Sequence, residues 1–146
     1  MISYRDIVSN DIMFSDEFPL RLVDDVVFEV ACPPDVDGHD SADSVVHRFG
    51  LEPVTFDKRS YLSHLKHYMG AVKIFLAASG AGQDEVTAFE KGASAYAKQI
   101  SANFKNYAFY TGMSKNPDGL VGLKAYRADG STYFTFWRHG LKEQRT

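Results

Sequence analysis

The sequence predicts an α+β domain of antiparallel strands and an antiparallel helical hairpin. Short apolar runs typical of strands fill most of the first 54 residues. In residues 57–105, apolar residues recur every three or four positions in two successive segments, as in amphipathic helices. After Asn106, runs typical of strands return, separated by strong turn signals. Strands, then a helix pair, then strands again is an order typical of the α+β class. The 146 residues fit a single domain with one core.

The first third of the chain predicts short strands and one loop. Two pairs of strands are predicted, each separated by polar turn residues. The first pair is Met1–Tyr4 and Ile12–Phe14, with a turn at Ser9–Asp11. The second pair is Leu20–Val23 and Val26–Val30, with a turn at Asp24-Asp25. Residues 31–44 contain Pro33-Pro34, Gly38 and four aspartates without periodicity, and we expect a mobile surface loop there. Val45–Val54 predicts a further strand.

The middle third predicts two helices. Asp57 is an N-cap candidate, and apolar residues spaced by three and four follow from Tyr61 to Leu76. A second stripe runs from Val86 to Phe104 behind acidic residues that suit the first turn of a helix. The Gly-rich segment 79–82 between the stripes predicts a tight turn and therefore a helical hairpin.

The last third predicts an antiparallel meander. Its three strand-type runs are separated by turn signals at Asn116–Gly119 and Ala128–Ser131; the runs are Tyr107–Thr111, Leu120–Tyr126 and Thr132–Trp137.

Composition excludes several classes of protein. The net charge of -3 argues against a basic protein, and we expect no nucleic-acid partner. Cys32 is the only cysteine, which excludes an intrachain disulfide and a Cys-rich zinc site and fits a reducing compartment. The start lacks the apolar core of a signal peptide, and no apolar run approaches the ~20 residues of a membrane span. We therefore expect a cytosolic protein without a membrane partner.

Charge is distributed unevenly along the chain. Residues 1–56 hold twelve acidic and three basic side chains, whereas 57–105 hold seven basic and four acidic ones. The basic hairpin could steer an acidic partner, although ordinary solvated faces also account for the pattern.

Candidate chemical sites are sparse. His64 and His67 have a spacing that could serve one metal, but Ser60, Ser63 and Lys66 on the same face favour a solvated surface. The acidic run Asp35–Asp40 lacks the closing glutamate of an EF-hand. Cys32 has no evident His partner. The residues predict no catalytic turnover, no cofactor and no tightly bound metal, and so a non-enzymatic interaction domain.

Aromatic residues are concentrated between Phe104 and Trp137. They could form a base-stacking platform, but alternating strand positions would bury about half of them, and we favour a core.

Ten segments spread in order over the chain form a recognisable set: Met1–Ser9, Met13–Asp16, Leu22–Glu29, Phe56–Tyr61, His67–Lys73, Phe89–Ala93, Ala102–Tyr107, Asn116–Gly119, Tyr126–Gly130 and Gly140-Leu141. Together they resemble the translationally controlled tumour protein (TCTP) family, and its fungal members in particular.

The resemblance implies a β-tent of mostly antiparallel strands with a projecting helical hairpin. It implies one domain over 1–146, a mobile loop at about 31–44 and a hairpin at about 57–105. It also implies a cytoplasmic, monomeric binding protein linked to protein synthesis, growth and stress survival. The implied partners are Ras-like GTPases or elongation factors and, as the alternative, tubulin or microtubules, with weak calcium binding.

The resemblance also assigns partner-binding residues. The GTPase region corresponds to Asp11, Ile12, Asp16 and Met113, and the basic hairpin offers Lys66, Lys73, Lys91 and Lys98 to tubulin. Family members usually carry glutamates where this chain has Ile12 and Met113, and their long acidic loop is here reduced to Ala31–Ser44. We therefore expect weaker GTPase binding. Ile12 either forms an exposed apolar spot with Met113 or turns inward beside Phe14.

Overall fold

Two antiparallel sheets and a helical hairpin make up the computed structural model, which describes residues 1–32 and 42–145. The elements of this part are β1 Ile2–Asp6, β2 Ile12–Ser15, β3 Leu20–Val23, β4 Val27–Ala31, α1 Ala42–Phe49, β5 Glu52–Val54, α2 Lys58–Ala78, α3 Gln83–Ala102, β6 Ala108–Thr111, β7 Gly122–Tyr126, β8 Thr132–Trp137 and β9 Leu141–Arg145. The predicted α+β class is confirmed.

The larger sheet has the strand order β3-β4-β8-β7-β6-β5, and the smaller has the order β2-β1-β9. The predicted β3–β4 hairpin forms around Asp24 and Asp25, whose φ values of 53° and 59° suit a tight hairpin turn. The predicted meander is present as β6, β7 and β8, each antiparallel to the next.

Residues 45–54, predicted as one strand, instead contain the end of α1, a turn at Gly50 and the short strand β5. Val45 and Phe49 are four residues apart and both are buried, so they form one helical face. Their β-branched and aromatic composition favoured a strand prediction.

The predicted loop was also too long at both ends. Ala31 lies in β4, and Cys32 continues the pairing because its backbone N–H donates to the Thr132 carbonyl at 3.1 Å. Residues 42–44 belong to α1. The remainder of the predicted loop, residues 33–41, lies outside the described residues.

The helical hairpin follows its predicted stripes. Asp57 caps α2, because its Oδ1 accepts from the Ser60 backbone N–H at 2.7 Å while Ser60 Oγ accepts from the Asp57 N–H at 3.0 Å. The buried face of each helix matches the predicted positions: Tyr61, Leu65, Tyr68, Val72 and Leu76 on α2, and Val86, Phe89, Ala93, Tyr96 and Ile100 on α3.

The larger sheet is the middle of three layers. On one side Phe136 stacks on Phe14 of the smaller sheet, with ring centroids 4.7 Å apart. On the other side Trp137 meets Tyr96 of α3 at 5.7 Å. Successive residues of β8 point to opposite faces, so both faces of this strand are buried. About half of the aromatic residues between Phe104 and Trp137 are buried, as the alternation predicted; they are Phe109, Phe134, Phe136 and Trp137.

Candidate functional site

A buried carboxylate fixes the loops that surround the predicted GTPase region. Asp6 is fully buried, and its two oxygens accept from Val8 N (3.1 Å), Ser9 N (3.1 Å), Ser9 Oγ (2.7 Å), Leu120 N (2.8 Å) and Tyr68 Oη (2.8 Å). These bonds join β1 to α2 and to the loop before β7. Since a buried carboxylate needs such partners, Asp6 holds three elements in one arrangement.

A surface groove of about 330 Å³ lies beside this network, and we call it the strand-end groove. Its lining includes Arg5, Asp11, Ile12, Arg48 and Met113. Three of the predicted partner-binding residues, Asp11, Ile12 and Met113, therefore lie together although Met113 is about a hundred positions away in sequence. Arg5 and Arg48 were not among the predicted site residues, because neither lies in a local sequence motif.

Asp11 is held in a defined orientation. Its Oδ2 accepts from the Ser114 backbone N–H at 3.2 Å and from Ser114 Oγ at 2.6 Å. Gly112 permits this approach, because a Cβ there would lie 2.4 Å from the same oxygen. Asp11 Oδ1 makes no hydrogen bond within the described part of the chain and can accept one from a partner.

The two positions that differ from the family pattern have different surroundings. Ile12 is half-buried against the core and pairs with Arg5 across β1 and β2. Met113 is 66% exposed. An apolar spot at the groove therefore consists mainly of Met113.

Asp16 lies apart from the groove, at the other end of β2. Its Oδ1 accepts from the Ile2 backbone N–H at 3.0 Å, and the side chain is exposed. A partner that contacts Asp11 reaches Asp16 only by covering the length of this strand.

A second groove, of about 620 Å³, runs between α2 and α3; we call it the hairpin groove. Lys66 and Lys73 line it. Lys91 and Lys98 are not in its lining, but each lies within one helical turn of Ser94, which is. Lys73 Nζ pairs with Glu90 Oε1 at 2.7 Å, which leaves three of the four without an ion pair in the described part.

The two predicted histidines have different surroundings. His64 Nε2 lies 3.0 Å from the Gly119 carbonyl oxygen, and burial lowers the pKa of His64, so the ring is neutral near pH 7. His67 is exposed and lies 3.7 Å from Asp118. No group of three His, Cys, Asp or Glu side chains in the described residues is placed to hold a metal, and the run Asp35–Asp40 lies outside them.

The layered sheets and docked hairpin define an α+β domain of the β-tent type, with its predicted binding residues in open surface grooves. A sequence model of the family described as "Translationally controlled tumour protein" matches residues 1–43 and 34–142. A Yarrowia lipolytica protein named "Translationally-controlled tumor protein homolog" is 46% identical over 168 aligned positions, covering 99% of each chain. A Mycosarcoma maydis protein of the same name is 42% identical, covering 97% of this chain and 98% of its own. The chain belongs to the translationally controlled tumour protein family.

Solved structures agree with this assignment. "Translationally Controlled Tumor-associated Protein p23fyp" from Schizosaccharomyces pombe matches with a TM-score of 0.85 at 36% identity, covering 100% of both chains. A Caenorhabditis elegans TCTP structure matches with a TM-score of 0.72 at 23% identity, covering 100% of this chain and 99% of its own, and supports the fold. The 168-position alignment is longer than this chain, and the two matched ranges overlap over residues 34–43, which fits a shortened segment there.

In the part of the chain that the structure describes, no helix is both long enough and apolar enough to cross a membrane.

Proposed function

We propose that this chain is a non-enzymatic, monomeric binding protein of the cytosol that supports protein synthesis and growth by binding a Ras-like GTPase or a translation elongation factor. The observation that carries the proposal is the strand-end groove, which places Asp11, Ile12 and Met113 together. Weak calcium binding stays a prediction of the family resemblance, because the Asp35–Asp40 run lies outside the described residues.

The groove offers a partner one oriented carboxylate and an apolar side chain. Asp11 presents Oδ1, since Ser114 occupies Oδ2. Both rim arginines are already engaged: Arg5 Nη1 donates to the Asn10 carbonyl at 2.7 Å, and Arg48 pairs with Glu17 at 2.6 Å. With uncharged residues at 12 and 113, a basic partner surface finds fewer acceptors here than on a typical family member, and we expect weaker binding.

Adding the two carboxylates is expected to strengthen GTPase binding. A hydrogen bond to a charged group contributes ~1.5–3 kcal/mol, so Met113→Glu should raise affinity roughly 10- to 150-fold and Ile12→Glu with Met113→Glu by at least about a hundredfold. Met113→Glu should leave stability unchanged because the side chain is exposed. Titration calorimetry against one Ras-like GTPase measures the change.

Ile74→Glu is the matched control, because Ile74 is 72% exposed on α2 and the substitution adds the same charge away from the groove. Equal affinities for the wild type and Met113→Glu, or an equal gain from Ile74→Glu, contradict the groove as the contact surface. Thermal unfolding of the double variant identifies any loss caused by the half-buried position of Ile12.

The hairpin groove supports a second candidate function, the binding of acidic tubulin tails. The supporting observation is that Lys66 lines the groove, that Lys91 and Lys98 lie within one helical turn of its lining, and that none of the three has an ion pair in the described part. Exposed charges steer and hold an acidic partner through interactions that salt screens.

Microtubule co-sedimentation is expected to disappear between about 0.1 M and 1 M salt, as the Debye length falls from ~10 Å to ~3 Å. Lys66→Ala, Lys91→Ala and Lys98→Ala should each weaken binding more than Lys73→Ala, because Glu90 already neutralises Lys73. Binding that persists at high salt, or that responds equally to all four substitutions, rules out this mechanism.

A further inference from the structure

A cleft of about 420 Å³ opens where α3 ends over β7 and β8, and we call it the tyrosine cleft. It is lined by Lys105, Asn106, Tyr107, Tyr126 and Tyr133 among others. Tyr126 is 60% exposed, and the other two tyrosines are half-buried. Burial raises the pKa of Tyr107 and of Tyr133, so both hydroxyls remain protonated hydrogen-bond donors.

Two of these rings make cation–π contacts with basic side chains of the same chain. The Arg127 guanidinium lies 4.3 Å from the centroid of Tyr133, and Lys124 Nζ lies 5.4 Å from that of Tyr126. Arg127 also pairs at 3.0 Å with Glu29, whose side chain is only 12% exposed. Arg127 already covers one face of Tyr133 and its charge is offset by Glu29, so the accessible aromatic surface of the cleft is mainly that of Tyr126.

A second cleft of about 360 Å³ adjoins the first, and we call it the lysine cleft. Lys105, Asn103 and Asn106 line both clefts, and Lys58 at the start of α2 lines the second. Among the residues that the structure describes, neither lining contains an acidic side chain. Lys58 and Lys105 make no ion pair in the described part, and both clefts have the size of small-ligand sites, about 300–1,000 Å³.

We propose that these two clefts together bind nucleotides, with a base against the exposed ring of Tyr126 and a phosphate on Lys58 and Lys105. Planar bases stack on exposed aromatic rings, phosphates pair with lysines, and an amide such as that of Asn106 can both donate to and accept from a base edge. The ligand is either a free mononucleotide or a nucleotide within a single strand.

This proposal departs from the expectation of no nucleic-acid partner. That expectation came from the net charge of the whole chain, whereas most of the acidic residues lie in the first third. The two clefts also lie away from the strand-end groove and the hairpin groove, so the proposal stands or falls independently of the proposed function.

The test measures binding of a fluorescein-labelled oligouridine by anisotropy at low salt, and of uridine monophosphate by chemical-shift changes in the full-length protein. Tyr126→Ala should weaken oligonucleotide binding roughly 5- to 150-fold, as for loss of one stacked base. Lys58→Ala with Lys105→Ala should remove about two phosphate contacts and lower the salt slope, log K against log salt, by ~1.4. Lys115→Ala with Lys142→Ala removes the same charge elsewhere and should change neither value.

Binding of the monophosphate alone identifies the free nucleotide as the ligand, and binding of the oligonucleotide with shifts at Asn106 and Tyr107 identifies a single strand. The proposal is overturned if neither ligand binds, or if the shifts map to another surface. It is also overturned if a polyglutamate peptide of equal charge competes equally well, because charge alone then explains binding.

Discussion

Replacing Asp6 with alanine is expected to destabilise the fold by about 3–5 kcal/mol, a large part of the ~5–15 kcal/mol that holds a domain of this size. The substitution leaves the backbone N–H groups of Val8, Ser9 and Leu120 without their acceptor, and Tyr68 loses its shortest hydrogen bond. Leaving one buried donor unpaired costs ~1–3 kcal/mol, and several are affected together.

Asp6→Asn is expected to cost about half as much. If the amide oxygen takes the place of Oδ2, it still accepts from Ser9 and Leu120, and only the contacts of Oδ1 change. Tyr68 Oη can then donate to the Gly140 carbonyl oxygen, which already lies 3.1 Å away. If Asp6→Ala fails to fold, the smaller loss of stability expected for Asp6→Asn can still be measured.

Urea unfolding of the wild type, Asp6→Ala, Asp6→Asn and Asp16→Ala measures these differences. Asp16 is the control because it is exposed and accepts one backbone bond, from Ile2, so its loss should cost at most ~1 kcal/mol. Similar midpoints for Asp6→Ala and Asp16→Ala contradict the central role of Asp6.

Sequence patterns predicted the elements whose signals are local. The stripes of α2 and α3, the cap at Asp57 and the turn at Asp24-Asp25 each lie within a few residues, and each was found. The strand β9 was missed because four of its five residues are exposed, so it shows no apolar alternation. It is held by antiparallel pairing with β1, at the opposite end of the chain.

The groups that shape the site depend on distant contacts. Asp6 is one of 19 acidic residues, and its partners Tyr68 and Leu120 lie 62 and 114 positions away. Nothing in its immediate sequence distinguishes a buried carboxylate from an exposed one. The family resemblance did single out Asp11, Ile12 and Met113, but the engagement of Asp11 by Ser114 required the fold.

A second large effect is expected at Gly140, which packs against the tyrosine that Asp6 binds. A Cβ at this position would lie 2.1 Å from Tyr68 Oη and 2.8 Å from its Cζ. Tyr68 is 1% exposed and so has no space into which to move. Gly140 is not among the residues with positive φ, so the cost of Gly140→Ala is steric and should reach about 2–3 kcal/mol, in the range for overpacked cores.

Tyr68→Phe distinguishes this clash from a general effect of the substitution. Removing Oη costs ~1–2 kcal/mol alone, because Asp6 loses a donor, but it also removes the atom nearest to the added methyl group. The double variant should therefore be at least ~1 kcal/mol more stable than the sum of the two single effects predicts.

Gly70→Ala is the control, since a Cβ there meets nothing within 4 Å and alanine favours the exposed helix by ~0.5–1 kcal/mol. If urea unfolding shows that the stability loss of the double variant equals the sum of the two single losses, the contact between residue 140 and Tyr68 is not the cause of the loss in Gly140→Ala.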